Sequence, residues 1–278
     1  MEVERGRERI GHVNRVGYMK KVIKKRKHTR KIKQVEKVVP VALQDLYLSC
    51  QDVFKGPGTV PAPQDVHKLC TIIDNMKPED VGLSSELQFF QPTNMVRGNP
   101  RVTHTTIYKC DNFSLCIFFI PATGVIPLHN HPEMTVFSKL LLGTMHIKSY
   151  DLVDPVNLEG LEPSSQLRLA KLKADRVFEA PCDTSVLYPK TGGNIHAFTA
   201  ITPCAVLDVM GPPYSKDDGR DCSYYKDDPY TNTASNGETE VTIEDSDSYA
   251  WLEEIEMPEN SQMDGIEYLG PQIIDPRC

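Results

Sequence analysis

The sequence predicts a mainly β fold, a sandwich or barrel, preceded by helices. Three observations carry that prediction. Between about residues 100 and 212 the chain breaks into short apolar runs rich in β-branched and aromatic residues, at 113–120, 134–142, 145–153, 167–172, 186–188, 195–201 and 205–210. Gly143, Asp154-Pro155, Pro181, Gly192-Gly193 and Pro203 punctuate them, as turns punctuate strands. Ahead of this region, apolar residues recur at helical spacing instead.

In chain order, residues 1–37 carry 14 Lys/Arg against four Asp/Glu, while the remainder carries 17 basic against 34 acidic residues. The net charge of −7 therefore conceals a basic arm on an acidic body. The arm, with Lys24-Lys25-Arg26-Lys27 at its centre, has too little apolar content to fold alone. It reads as a solvated tail or a nuclear localisation signal. Without aromatic or base-reading residues among the charges, it gives no sign of specific nucleic-acid recognition. Residues 38–278 form the expected folded domain. Its helices, over about 41–77, follow Leu43, Leu46, Tyr47, Cys50 and Val53, and then Val66, Leu69, Cys70, Ile73 and Met76. Pro40, Gly56-Pro57-Gly58, Pro61 and Pro63 bound them. His67 lies beside the second stripe and reads as a surface residue. After the β region, 227–248 is acidic and rich in Asn, Ser and Thr, hence an expected loop. Trp251, Leu252, Ile255, Tyr268 and Ile273 then mark a C-terminal segment that packs back onto the body.

Composition narrows the class. Of 278 residues, 40% are hydrophobic and 25% charged, as in ordinary globular domains. No apolar stretch has the length of a bilayer span, and the N-terminus lacks the apolar core of a secretory signal. The eight cysteines show no CxxC spacing, so reduced thiols are expected and a zinc ribbon is not.

The chemistry concentrates in Gly124-Val-Ile-Pro-Leu-His129-Asn-His131-Pro-Glu133-Met-Thr-Val136, which runs on to Gly143. In extended chain, alternate side chains share a face, so His129 and His131 can point together and begin a divalent-metal site. The segment resembles the first motif of the cupins. Pro189-Lys-Thr-Gly192-Gly193-Asn-Ile-His196 resembles the second and supplies a third histidine. That resemblance implies a double-stranded β-helix, or jelly roll, with the metal inside. Val136 stands where cupins place a glutamate, and Glu133 is the nearest carboxylate. The expected ligand set is therefore His129, His131 and His196 alone. Three neutral imidazoles leave a divalent ion its full charge and favour a substrate that brings an anion, such as a thiolate.

Four stretches carry the resemblance further: PLHNHPEMTVFSKLL (127–141), GGNIHAF (192–198), LDVMGPPY (207–214) and GRDCSYY (219–225). Together they resemble the plant cysteine oxidases, relatives of the animal 2-aminoethanethiol dioxygenases, over about 43–278. The resemblance implies an Fe(II) enzyme that uses O2 to oxidise the N-terminal cysteine of a protein to cysteine sulfinic acid. It implies group VII ethylene response transcription factors as substrates, and an oxygen-sensing step ahead of N-degron degradation in nucleus and cytoplasm. A monomer with no membrane partner is expected. Asp208, Tyr214 and Cys222 are the further candidates. Asp208, in a β-rich run, either holds a histidine or the substrate amine or makes a structural bond. Tyr214 either donates toward an oxygen species or lines its loop. Cys222 and Tyr224 match the region of a Cys–Tyr crosslink in the animal relatives. A small-thiol dioxygenase and a non-enzymatic nuclear cupin are the rival readings.

Overall fold

Pro40, at φ −56°, leads the chain into the helix α1 (Val41–Val53), which ends where Phe54 turns extended and Gly56 takes φ +104°. The second helix, α2 (Pro63–Asn75), opens on proline, where a missing N–H costs no helical bond. The computed structural model describes residues 40–90, 101–153, 167–230 and 248–275. The basic arm at 1–37 lies outside the described residues, and so does 231–247, most of the predicted acidic loop.

Twelve strands follow in the described residues: β1 (Thr103–Lys109), β2 (Ser114–Ile120), β3 (Val125–His129), β4 (Thr135–Leu142), β5 (Thr144–Leu152), β6 (Leu167–Glu179), β7 (Ser185–Leu187), β8 (Ile195–Ala200), β9 (Cys204–Gly211), β10 (Tyr224–Pro229), β11 (Tyr249–Ile255) and β12 (Asp264–Gly265). They form one sheet in the order β12-β1-β2-β9-β4-β7 and a second, β10-β11-β6-β5-β8-β3, that closes on itself. This is the jelly-roll architecture expected from the sequence.

The first sheet is covered on both faces. Its outer face gives Leu115, Ile117, Phe137, Leu207 and Val209 to a core shared with Leu43, Leu46, Tyr47, Leu69 and Ile73 of the helices. The inner face gives Ile120, Leu140 and Val206 to a core with Ile126, Phe198 and Ala200 of the second sheet. Strand β9 is buried at all eight positions for that reason, since each neighbour along it meets a different core. The second sheet also has two cores. Ile195 and Leu128 turn away from the first sheet and pack with Tyr150, Tyr225, Ala250 and Leu252 beneath the β10–β11 hairpin.

Two expectations change. Strand β6 runs to Glu179 rather than stopping near 172, because Lys173, Asp175 and Arg176 sit exposed on a strand that β5 pairs along its length. Residues 227–229 belong to β10, not to a loop. There Asp227 accepts hydrogen bonds from Lys148 Nζ and Tyr150 Oη, so charge in this segment is part of a paired strand. Tyr268 and Ile273 do pack back, against the helical core.

Candidate metal centre

His129 ends β3 and faces His196 directly across the β3–β8 ladder. The ladder slips between Ile126 and His129. Ile126 and Leu128 have the same parity yet join different cores, so the bulge resets the alternation and brings His129 inward. Pro127, which has no N–H to give a ladder, sits in the slip. Its carbonyl accepts from His129 Nδ1 at 2.8 Å, and a carbonyl can only accept, so the proton is on Nδ1 and Nε2 keeps a lone pair.

His131 lies beyond the strand. Simple alternation within one extended segment therefore does not align the two histidines. A clasp does. Asn194 Oδ1 accepts from the His131 backbone N–H at 3.1 Å, and Asn194 Nδ2 donates to the His131 carbonyl at 2.8 Å. The Asn194 carbonyl accepts from His131 Nδ1 at 3.2 Å, which fixes the same tautomer as in His129. Asn194 stands two residues before His196, so one loop handles both ligands.

The ligand nitrogens of His129, His131 and His196 all lie within 4.8 Å of one another. Ring centroids are 4.9, 4.9 and 4.6 Å apart. Burial lowers the basicity of all three, and their mutual repulsion lowers it further for His131, to about 3, and for His196. Each imidazole is neutral at physiological pH and offers a lone pair, which is the state a divalent transition metal requires. Among the described residues no carboxylate joins this cluster. Glu133 is exposed at a turn with φ +56°, and Val136 is buried on the inner face.

Asp208 faces the barrel interior from β9, opposite Ser138 on β4 and Cys116 on β2. It is 5% exposed, and its Oδ1 finds no hydrogen-bond partner. Burial pushes its carboxyl up to about 7, and the Ser138 hydroxyl offsets only part of that. The imidazole protons of His129 and His131 go to backbone carbonyls, so Asp208 does not orient either ring. Tyr214 packs its ring 5.6 Å from that of His131 and donates its hydroxyl to the Asn130 carbonyl at 2.8 Å. The Cys222 thiol neighbours the Tyr214 and Tyr224 hydroxyls, and burial pushes it up to about 11, so it stays protonated at neutral pH. The seven cysteines among the described residues are free.

Three residues of this site were not singled out from sequence. Asn130 hydrogen-bonds Ser223 through backbone and side chain and donates to Tyr225 Oη, tying the histidine turn to β10. Asn194 makes the clasp above. Asp151, on β5, accepts from the backbone N–H groups of Gly192, Gly193 and Asn194 at 3.0, 2.8 and 3.1 Å. The available signal was the asparagine that directly follows the first histidine in HNH and the one that follows the glycines in GGN. Ser138, Ser149, Gly193, His196 and Phe198 are among the residues that line a cavity of about 600 Å³.

Comparison with known proteins adds to this geometry. The PCO_ADO family model matches residues 72–273. Plant cysteine oxidase 2 of Arabidopsis thaliana is 50% identical over 241 residues, 86% of this chain and 85% of that protein. Plant cysteine oxidase 1 of the same plant is 47% identical, over 84% of this chain and 81% of that protein. The human 2-aminoethanethiol dioxygenase is 30% identical, over 81% of this chain and 88% of that protein.

Proposed function

The chain belongs to the PCO_ADO family, and on that premise we propose that it is an iron-dependent dioxygenase of protein N-terminal cysteine. The observation that carries the reading is the cluster of three neutral histidines, two of them buried and one, His196, lining a cavity of about 600 Å³, in a chain half identical to a plant cysteine oxidase. Converting a thiol to a sulfinic acid takes four electrons from sulfur and gives four to O2, so the reaction balances without an external reductant. Iron(II), held by His129, His131 and His196, would supply O2 activation and a seat for the thiolate. Zinc also accepts imidazoles, but it has no redox chemistry to offer this reaction.

The protein groups then have distinct tasks. Asp208 presents an unpartnered carboxylate oxygen to the interior and suits an α-ammonium, whose charge would pair with it. Tyr214 walls the site over His131 while its hydroxyl donates to the Asn130 carbonyl. Cys222, protonated, is a neighbour of that wall rather than a nucleophile. The preferred targets on this reading are proteins that begin with cysteine, the group VII ethylene response factors among them. The reaction would make their stability depend on O2, an oxygen-sensing step of the N-degron pathway. The basic residues of 1–37 support a nuclear as well as a cytoplasmic location, and the protein would act as a monomer.

The test compares three peptides under equal enzyme, iron and O2: one starting with Cys, its N-acetylated form, and its Met-Cys counterpart. A free N-terminal cysteine brings thiol and amine together, so only the first is expected to gain two oxygen atoms by intact mass. Equal oxidation of the acetylated peptide would remove the N-terminal specificity. Oxidation of cysteamine or free cysteine alone would favour the small-thiol reading.

A further inference from the structure

The three histidines are not held in one way. His129 is set by its own strand, through the Pro127 carbonyl. His131 is held by Asn194, in the 192–194 loop that leads into β8 and His196, and that loop has almost no regular structure of its own. Gly192 and Gly193 both take φ +84°, a conformation open to glycine at little cost. A side chain at Gly193 would bring a Cβ within 2.7 Å of Ser149 Oγ, so the loop is pressed against β5. Three successive N–H groups there point at one acceptor, the Asp151 carboxylate.

We propose that Asp151 is a positioning residue for the metal centre, fixing the Gly192-Gly193-Asn194 loop so that Asn194 can clasp His131 and His196 can face the barrel. The proposal rests on reading the three histidines as a metal site. Asp151 is 8% exposed, and burying a carboxylate costs least when its acceptor sites are filled. Both oxygens are used: Oδ2 by Gly192, Oδ1 by Gly193 and Asn194. Lys173 Nζ, 3.8 Å away and half-exposed, adds charge balance without entering the loop. The N–H of Asn194 is the last of these three donors, and its carbonyl and side chain begin the clasp on His131. Asp151 thus sets a residue that orients a ligand. It touches no ligand itself.

The experiment titrates metal-free protein with Co(II), followed by visible absorption, with the folded state checked by circular dichroism. Asp151→Ala is expected to bind Co(II) about 10–100-fold more weakly, the loss typical when the support of a ligand is removed. Asn194→Ala should lose as much or more. The double variant should be no weaker than Asn194→Ala alone, because the two act in series. Asp227→Asn, which removes a comparable half-buried carboxylate bound to Lys148 and Tyr150, should lower the melting temperature and leave Co(II) affinity unchanged. Folded Asp151→Ala with wild-type affinity, or fully additive losses in the double variant, overturns the assignment. If Asp151→Ala does not fold, Asp151→Asn decides. Its single carbonyl oxygen cannot serve all three N–H groups, so a loss of about tenfold is expected, and wild-type affinity would overturn the proposal. Wild-type protein that binds no Co(II) would remove the metal centre itself.

Discussion

The two sheets of this barrel have nearly opposite characters. The first sheet packs aliphatic and aromatic side chains on both faces, and its buried polar residues, Thr105, Ser114, Thr135, Lys139 and Asp208, include none of the three clustered histidines. The second carries two of the histidines on its strands and the third just beyond one, with the Asp151 anchor, the Lys148–Tyr150–Asp227 group and a bulge. The first sheet joins the helical core to the interior core, and the second places the histidines and their support. Asp208 is the exception that faces across from the packing side to the chemical side. The division means that stability and metal binding should respond to different substitutions.

The largest effect should come from the ligands. His196→Ala is expected to weaken metal binding by more than about 100-fold and abolish oxidation, since the loss exceeds that of removing a ligand's support. Full activity in that variant would remove His196 from the site. Phe137→Ala, on the packing side, should cost about 3–5 kcal/mol of stability in denaturant unfolding. Its metal affinity, measured on the folded fraction, should match wild type, and a parallel loss would dissolve the contrast between the sheets.

Asp208→Asn tests the exception. With its folded carboxyl raised to about 7 from an ordinary 3.8, Asp208 favours the folded state fully only below pH 3.8, and that contribution falls away as pH rises toward 7. Metal-free Asp208→Asn should therefore gain stability over wild type above pH 7, by at most about 4 kcal/mol, and gain little at pH 3.5. Urea midpoints at the two pH values measure it. The same variant should keep its iron and turn over more slowly. Unfolding with loss of metal would mark Asp208 as structural. The smallest effect belongs to Tyr214→Phe, which forgoes one hydrogen bond to Asn130, worth about 1 kcal/mol. A large fall in turnover with normal folding would instead restore the Tyr214 hydroxyl to the chemistry.

What could be read from sequence follows the same division. The packing sheet was legible because its strands are apolar runs closed by turn residues, as in 113–120 and 205–210. The two histidine motifs were legible because they are local. The supports were not. Nothing near Asp151 signals that the N–H donors to its carboxylate lie about forty residues on, at Gly192 to Asn194. The bulge at Pro127 reverses a simple alternation and is visible only once Ile126 and Leu128 are seen in different cores. The end of strand β10 was hidden because Asp227 and Asp228 look like loop, while the partners of Asp227, Lys148 and Tyr150, are in another strand.

The clasp between His131 and Asn194 joins residues 63 apart in the chain, and it rests on a ladder that pairs His129 with His196. Such distant pairings are slow to form, because the intervening chain must surrender its freedom before any contact rewards it. A growing polypeptide that has reached only His131 holds two of the site's three imidazoles, since His196 is still to come. On the metal-centre reading, capture of the metal is therefore expected to follow closure of this ladder. It belongs to the end of the process, as the event that registers a barrel already closed.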